Sequence, residues 1–293
     1  MNDVERIEIA TACHDCDAIA KVPGAGNVVN SPDGAFQVMH NGLRVYVDSH
    51  YGTYNTEVIR RLNGHHEPQE ERVFHEVLKT IPPNAVMLEL GSFWAYYSLW
   101  FTSAVAGARA FMVEPLASAL QAGERNFELN SKHGSFVRAS IDAMERPEAE
   151  VELWPGMRTV VETTTVDALM KRFKLGHVDI LHADIQGSEV RMLRGARSAL
   201  EGRQISWIFI STHGENIHQK CLRILRSHRY KIVAEHTPFE SYSVDGLLVA
   251  TAGTVYEQIK ISRRRSWVAT KGRFRALIRV QLLERLGLLT VTV

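Results

Sequence analysis

Residues 87–101 read MLELGSFWAYYSLWF. An apolar run carries an acid at Glu89, breaks at Gly91, and passes within a few residues into an aromatic segment with helical spacing. A strand that turns into a helix through a single glycine, with a carboxylate beside the turn, is the local form of a ligand floor in an open α/β sheet. The alternative for Gly91, a residue needed only for the turn itself, stands beside it.

The surrounding sequence supports a sheet of that kind. PQEERVFHEVLKTI, from position 68, has helical apolar spacing and stops at Pro82-Pro83. After it, short apolar runs alternate with helix-length segments: VMLEL, a helix from about Trp94, ARAFMVEP, a helix over 117–130, SFVRAS, VELW, a helix near 166–173, HVDILHADI, a helix over 188–200, and ISWIFIST. Strands that are apolar on both faces and separated by helices imply a parallel sheet covered on both sides. YKIVAEH and DGLLVAT are joined by a segment too short for a helical crossover, so their pairing is expected to be antiparallel. The expected class is α/β and doubly wound. Residues 1–66 read as an N-terminal cap with a hairpin around Asn41-Gly42, 67–252 as the main domain, and 253–293 as a basic C-terminal extension.

Composition narrows the partners. The chain has 293 residues with 34 basic against 33 acidic, a formal charge of +1, which gives no overall attraction to nucleic acid or membrane. Three cysteines suit a reducing cytoplasm rather than a disulfide scaffold. Cys13-His14-Asp15-Cys16 has CxxC spacing, but a zinc ribbon needs a second pair and Cys221 stands alone, so a frayed N-terminal segment is expected there. The N-terminus has no apolar core of a secretory signal, and the most apolar window, 95–113, is interrupted by Gly107 and Arg109.

The floor has a particular chemistry. A dinucleotide fold places GxGxxG where this chain has Gly91-Ser92-Phe93-Trp94-Ala95, and Glu89 would repel a pyrophosphate. The next strand ends at Glu114, where a carboxylate can hold ribose hydroxyls. Two acids at successive strand ends suit S-adenosylmethionine, which is cationic and lacks phosphate. For the acceptor side, Asp184 and His213 both follow strand ends and are expected to converge on one cleft. His213 is the candidate general base. Asp184 is its partner, a cofactor contact, or a ligand of a divalent cation that His213 would share. The competing reading of His213 is a structural histidine before the following helix, and for His182 a core histidine is favoured.

ELGSFWAYYS, VEPLASALQAGERNFELN, TTTVDALMKRF and VDILHADIQGSEVRMLRGARSAL, in this order, resemble the FkbM family of S-adenosylmethionine-dependent methyltransferases over about residues 65–250. The resemblance implies a class I methyltransferase (Rossmann-like) sheet of seven strands, the last antiparallel, and O-methylation of a sugar, glycan or polyketide-like hydroxyl. It also implies that Glu89, Gly91, Ser92 and Ser98 face the methionine part, Glu114 the ribose, and Ser140, Ile141 and Asp142 the adenine edge. Three positions depart from the family pattern, one of them His182, which stands where a lysine two residues before the aspartate is usual. Gln186 stands where a glutamate is usual, and Ala95 where a third glycine is usual. N- or carboxyl-methylation and a non-catalytic cofactor-binding role are the alternatives, while methylation of nucleic acid is disfavoured by the neutral charge.

The segment DSHYGTYNTEVIRRLNGHHEPQ reads as a lid that chooses the acceptor, or else as a solvated connection. In the extension, GRFRALIRVQLLERL interleaves arginines with helical apolar spacing, suited to an anionic surface, to another copy of the chain in a homo-oligomer, or to packing on its own protein.

Overall fold

The computed structural model describes residues 3–154, 156–253 and 257–264. The basic stretch GRFRALIRVQLLERL lies outside the described residues. The cap comprises α1 (Asp3–Thr11), the short strands β1 (Val28–Val29), β2 (Phe36–Val38) and β3 (Arg44–Tyr46), and α2 (Gly52–Arg61). Strands β2 and β3 pair antiparallel across Asn41-Gly42, as the alternation implied.

The main domain runs α3 (Pro68–Leu78), β4 (Val86–Leu90), α4 (Tyr96–Ala104), β5 (Arg109–Val113), α5 (Ala117–Leu129), β6 (Ser135–Val137), β7 (Ser140–Ile141), β8 (Arg146–Trp154), β9 (Met157–Thr164), α6 (Val166–Arg172), β10 (Val178–Ala183), α7 (Glu189–Gly195), α8 (Arg197–Glu201), β11 (Ile205–Thr212), α9 (Glu215–Ser227), β12 (Lys231–His236) and β13 (Gly246–Thr251). Seven strands form one sheet in the order β12-β13-β11-β10-β4-β5-β6. All neighbours are parallel except β13, which runs antiparallel to both β11 and β12. This is the doubly wound α/β sheet expected, with its last strand reversed.

Burial on both faces explains why the strands read as unbroken apolar runs. Val86, Leu88 and Leu90 join a core with side chains of α6–α9, while Met87 joins a second core built from α3, α4, α5 and the cap. The alternation of a strand sends Glu89 to the same face as Met87, toward the cap.

Three local features differ from the sequence-based expectation. VELW is not part of the main sheet: β8 pairs antiparallel with β9, which pairs parallel with β7, forming a separate three-stranded sheet. The turn at Gly156, with φ +85°, returns the chain on itself before any crossover helix can form. The helix over 188–200 is two helices, because Gly195 passes close to the Asp142 carbonyl and Asp167 caps the second helix through the N–H groups of Ser198 (2.8 Å) and Ala199 (3.0 Å). Nor is the Cys13–Cys16 segment frayed. Both cysteines are buried, and the Asp15 carboxylate accepts from the Ser262 N–H at 2.9 Å. Among the described residues no helix is long and apolar enough to cross a membrane.

The strands β4 and β10 lie side by side where the order of the chain reverses, since β5 and β6 continue to one side and β11 to the other. A crevice opens at such a switch point, beyond the carboxyl ends of the strands. The ladder extends there into the turns. The Gly91 N–H donates to the Val113 carbonyl at 2.8 Å, Asp184 N–H to Leu90 at 2.9 Å, and Glu114 N–H to Val137 at 3.1 Å. Gly91 has φ +73°, and a Cβ there would stand 1.8 Å from the Asp184 carbonyl oxygen. A close approach to the neighbouring strand end therefore demands glycine at this position. Gly91→Ala is expected to cost at least about 2 kcal/mol and to displace Asp184; equilibrium denaturation reads the loss directly.

Candidate active site

A cavity of about 820 Å³ fills the crevice. Its floor is the turn after β4, where Phe93 (φ 45°) and Ala95 (φ 58°) both take left-handed backbone, so α4 starts at Tyr96 rather than at Trp94. The Glu114 carboxylate holds this turn and its own. Oε2 accepts the Phe93 N–H at 3.1 Å and Oε1 the Leu116 N–H at 2.9 Å. Each oxygen keeps a further lone pair for a ligand hydroxyl. Glu89 accepts the Ser98 N–H at 3.1 Å. Burial pushes both carboxyls above their ordinary range, opposed at Glu89 by His182 and at Glu114 by the two N–H donors. Among the described residues neither acid pairs with a lysine or arginine, and the buried Ser92 hydroxyl in the same wall has no hydrogen-bond partner. Paired acids without a basic partner and an unsatisfied hydroxyl suit a cationic ligand that carries hydroxyls and an ammonium group.

The expected contacts divide. Glu89, Gly91, Ser92, Glu114, Ser140, Ile141, Asp184 and His213 all line the cavity. Ser98 does not; it is fully buried and contributes through its backbone N–H to Glu89. Asp142 does not either, because its carboxylate turns away to Arg146 (3.4 Å) and Arg191 (3.5 Å). His182 is buried with Nε2 2.8 Å from Glu70, and its ring edges onto the cavity.

At the other end stands His213, delivered by β11 just before Gly214 (φ +127°) turns the chain into α9. Its Nδ1 lies 2.6 Å from Glu189 Oε1, and Glu189, at the start of α7, is fully buried. Its Nε2 lies 3.3 Å from both Asp184 Oδ1 and Asp245 Oδ1, yet forms no hydrogen bond of good geometry with either. Burial alone would lower the His213 pKa, but the bond to Glu189 and the charges of Asp184 and Asp245 outweigh it and raise it to about 9. Enclosure pushes Asp184 up to about 8 against the pull of His213, and Asp245 up to about 6. Glu189 and Asp245 were not singled out as partners of His213 in the sequence. The last position of the DIQGSE segment was the available signal for Glu189, and nothing marked Asp245. Gln186, with φ 47°, reaches toward Asp184 Oδ1 at 3.5 Å, so the buried carboxylate against the histidine comes from position 189.

The cap closes the remaining wall. Tyr51, Tyr54, His66 and Glu67 from the predicted lid segment line the cavity, joined by Asp3 and Arg6 of α1. Tyr51 packs on Phe93 with ring centroids 4.8 Å apart, and the Tyr97 hydroxyl donates to Glu67 at 3.1 Å.

The profile of the methyltransferase FkbM domain matches residues 75–232, more than half of the chain. The chain belongs to the FkbM methyltransferase family. It is therefore a methyltransferase, built on the S-adenosylmethionine-dependent fold that its seven-stranded sheet displays. Comparison with curated proteins returns no match. Similar solved structures include a precorrin-6y C5,15-methyltransferase from Geobacter metallireducens, with 15% identity, 62% of this chain and 88% of that one covered, and a TM-score of 0.41. Another is the Bacillus subtilis M1A22 tRNA methyltransferase, with 18% identity, 75% and 88% covered, and a TM-score of 0.42. A putative rRNA-methylase from Clostridium thermocellum has 8% identity, 64% and 97% covered, and a TM-score of 0.45.

Because its neighbours raise His213 above the ordinary 6.5, the charged ring steadies the FkbM fold below that pH, and the contribution disappears as pH climbs through about 9. Glu189→Gln removes the anion at Nδ1, so His213 is expected to titrate well below about 9 in that variant. An NMR titration of the histidine ring checks this, and an unchanged midpoint would show that Glu189 does not set the proton affinity.

Proposed function

We propose that the chain methylates a hydroxyl group of a neutral, ring-containing or polyketide-like acceptor, with S-adenosylmethionine bound on the β4–β5 floor and His213 as general base. One observation carries the reading: a histidine fixed at Nδ1 by a buried glutamate, with Asp184 and Asp245 each 3.3 Å from its Nε2, lines the same cavity as the strand-end acids. Glu114 would hold the ribose hydroxyls. Glu89 and Ser92 would serve the methionine end, and Ser140 and Ile141 the adenine edge. In this reading residues 1–66 act as the acceptor-facing cap of a methyltransferase domain spanning 67–252.

The donor supplies an electrophilic methyl group on sulfur, which leaves as a neutral thioether. The protein's own contribution is orientation and proton handling. Holding the acceptor oxygen in line can provide up to about 7–11 kcal/mol in favourable cases. As the carbon–oxygen bond forms, the hydroxyl proton passes to His213 Nε2, and the imidazolium is stabilised by Glu189 behind it and by Asp184 and Asp245 beside it. A base with raised proton affinity is better matched to an alcohol, but it must first be neutral; a cation sharing the cavity makes that proton easier to lose. The acids around the cavity repel a polyanion, which supports a small uncharged acceptor over a nucleic acid. The Tyr51–Phe93 pair offers an apolar platform for its ring or chain.

A second reading, a divalent cation shared by Asp184, Asp245 and His213, rests on the two 3.3 Å spacings from Nε2 alone, since these three donors do not gather within 4.8 Å of one another as those of Cys16, His65 and Glu71 do. Added magnesium or manganese leaves turnover unchanged under the first reading and is required under the second.

His213→Ala is expected to keep donor affinity within about threefold in calorimetry while turnover falls by about 10²- to 10⁴-fold. The wild-type kcat/KM should rise with pH toward about 9, the His213 value, and that rise should vanish in the variant. Retained turnover would exclude His213 as the base. Glu114→Gln should weaken the donor by about tenfold or more, through one lost charged acceptor.

A further inference from the structure

The cap holds a second set of reactive side chains that the methyl-transfer site does not use. Cys16 comes from the loop after α1, His65 from the link between α2 and α3, and Glu71 from the first turns of α3. One thiol sulfur, one imidazole nitrogen and one carboxylate oxygen from these residues lie within 4.8 Å of one another. All three are buried, at 4%, 0% and 0% exposure. We propose that they form a structural zinc site that fastens the cap to the methyltransferase domain.

The donor chemistry and its surroundings support this. Cysteine sulfur, histidine nitrogen and carboxylate oxygen are the ligand types zinc takes, at about 2.0–2.3 Å, so donors on one ion stand about 3–4 Å apart. His65 Nδ1 is 2.5 Å from Glu71 Oε2, and a small outward movement would admit an ion between them. The other carboxylate oxygen is already engaged: Oε1 accepts the N–H groups of His66 at 2.7 Å and Glu67 at 3.1 Å, leaving Oε2 aimed at His65. Outer hydrogen bonds of that kind orient a metal-binding carboxylate. Cys16 Sγ, beside the start of α3, donates its S–H to the Pro68 carbonyl at 3.2 Å, and a zinc ion would take the place of that proton. His40 stacks on His65 with centroids 4.1 Å apart and meets the Tyr96 hydroxyl at 3.1 Å through Nδ1, so the protein supplies three ligands and leaves the fourth position to a water. A thiolate, a carboxylate and a zinc ion sum to zero charge, a form that a dry core tolerates. Burial of all three residues makes the centre closed, hence structural rather than catalytic.

The cluster also has a mechanical setting. Cys16 is five residues beyond the end of α1, whose Asp3 and Arg6 line the cavity, and His65 directly precedes His66 and Glu67 in the same wall. Loss of the ion would release both sides of the acceptor entrance at once. Cys13, although three residues from Cys16 and buried, is not in the cluster, so the site is not a CxxC centre.

The full-length chain, purified from cells grown with zinc, is expected to carry about one zinc per chain by elemental analysis. After chelation, Co²⁺ should restore stoichiometric binding and produce a thiolate-to-cobalt charge-transfer band together with tetrahedral d–d bands. Cys16→Ser should abolish the charge-transfer band and lower zinc content at least tenfold, while Cys13→Ser and Cys221→Ser leave both unchanged. Protease should then cut the segment between α1 and β1 faster in Cys16→Ser than in wild type. A wild-type cobalt spectrum with no thiolate band, or a Cys16→Ser variant with unaltered metal content, would overturn the proposal. The wild-type spectrum decides the point even should a variant fail to fold, and it is independent of whether His213 is the base.

Discussion

Buried carboxylates are crowded around one cavity, and among the described residues Glu89 and Glu114 on its floor have no lysine or arginine partner; the rest of the structure is arranged around that constraint. Parallel pairing of β4 with β5 and β10 brings the turns at Gly91, Glu114 and Asp184 alongside one another, because the backbone ladder continues past the strands into all three. Glu89 and Glu114 are buried and held by backbone N–H groups rather than by cations. Each such acid costs free energy in the empty protein, reflected in raised proton affinities at Glu89, Glu114, Asp184 and Asp245. A positively charged ligand relieves that cost. An anionic one increases it.

The same charge pattern divides labour within the cavity. Near the floor, amide donors hold the Glu89 and Glu114 carboxylates, the groups the proposal assigns to the donor. At the far end the acids surround a histidine, and there they hold a proton instead. Glu189 matters for this division because, fully buried and bonded to Nδ1, it gives His213 a single orientation. Asp184 is shared by the two halves. Its backbone N–H belongs to the β4 ladder, and its side chain lies beside His213 Nε2. The cap supplies aromatic surface to the cavity, through segments that converge on Cys16, His65 and Glu71.

Much of the sheet was legible in the sequence because a strand buried on both faces must be apolar throughout, and VMLEL, AFMV and ILHA announce themselves in that way. The antiparallel end was legible from a connection too short for a crossover. The β8–β9 hairpin was not, since VELW is as apolar as a short core strand and only the pairing with residues 157–164 shows that it leaves the sheet. Acids and the histidine at strand ends could be found because the fold places ligands there. What sequence order does not record is approach between distant elements. Glu189 meets His213 across 24 positions, and Asp245 arrives just ahead of β13, the antiparallel neighbour of β11. Ser98 and Asp142, plausible by position, are turned out of the cavity by a buried helix face and by two arginines. The buried Cys13 and Cys16 likewise became visible only once Asp15 was seen bonded to Ser262 at 2.9 Å.

The most direct test of the central claim is a crystal structure of the chain with S-adenosylhomocysteine. The account predicts the ribose hydroxyls on the Glu114 carboxylate, the amino-acid end beside Gly91 and Ser92, and the sulfur directed toward the side of the cavity where His213 stands. A ligand bound elsewhere, or its absence from the crevice at saturating concentration, would contradict it.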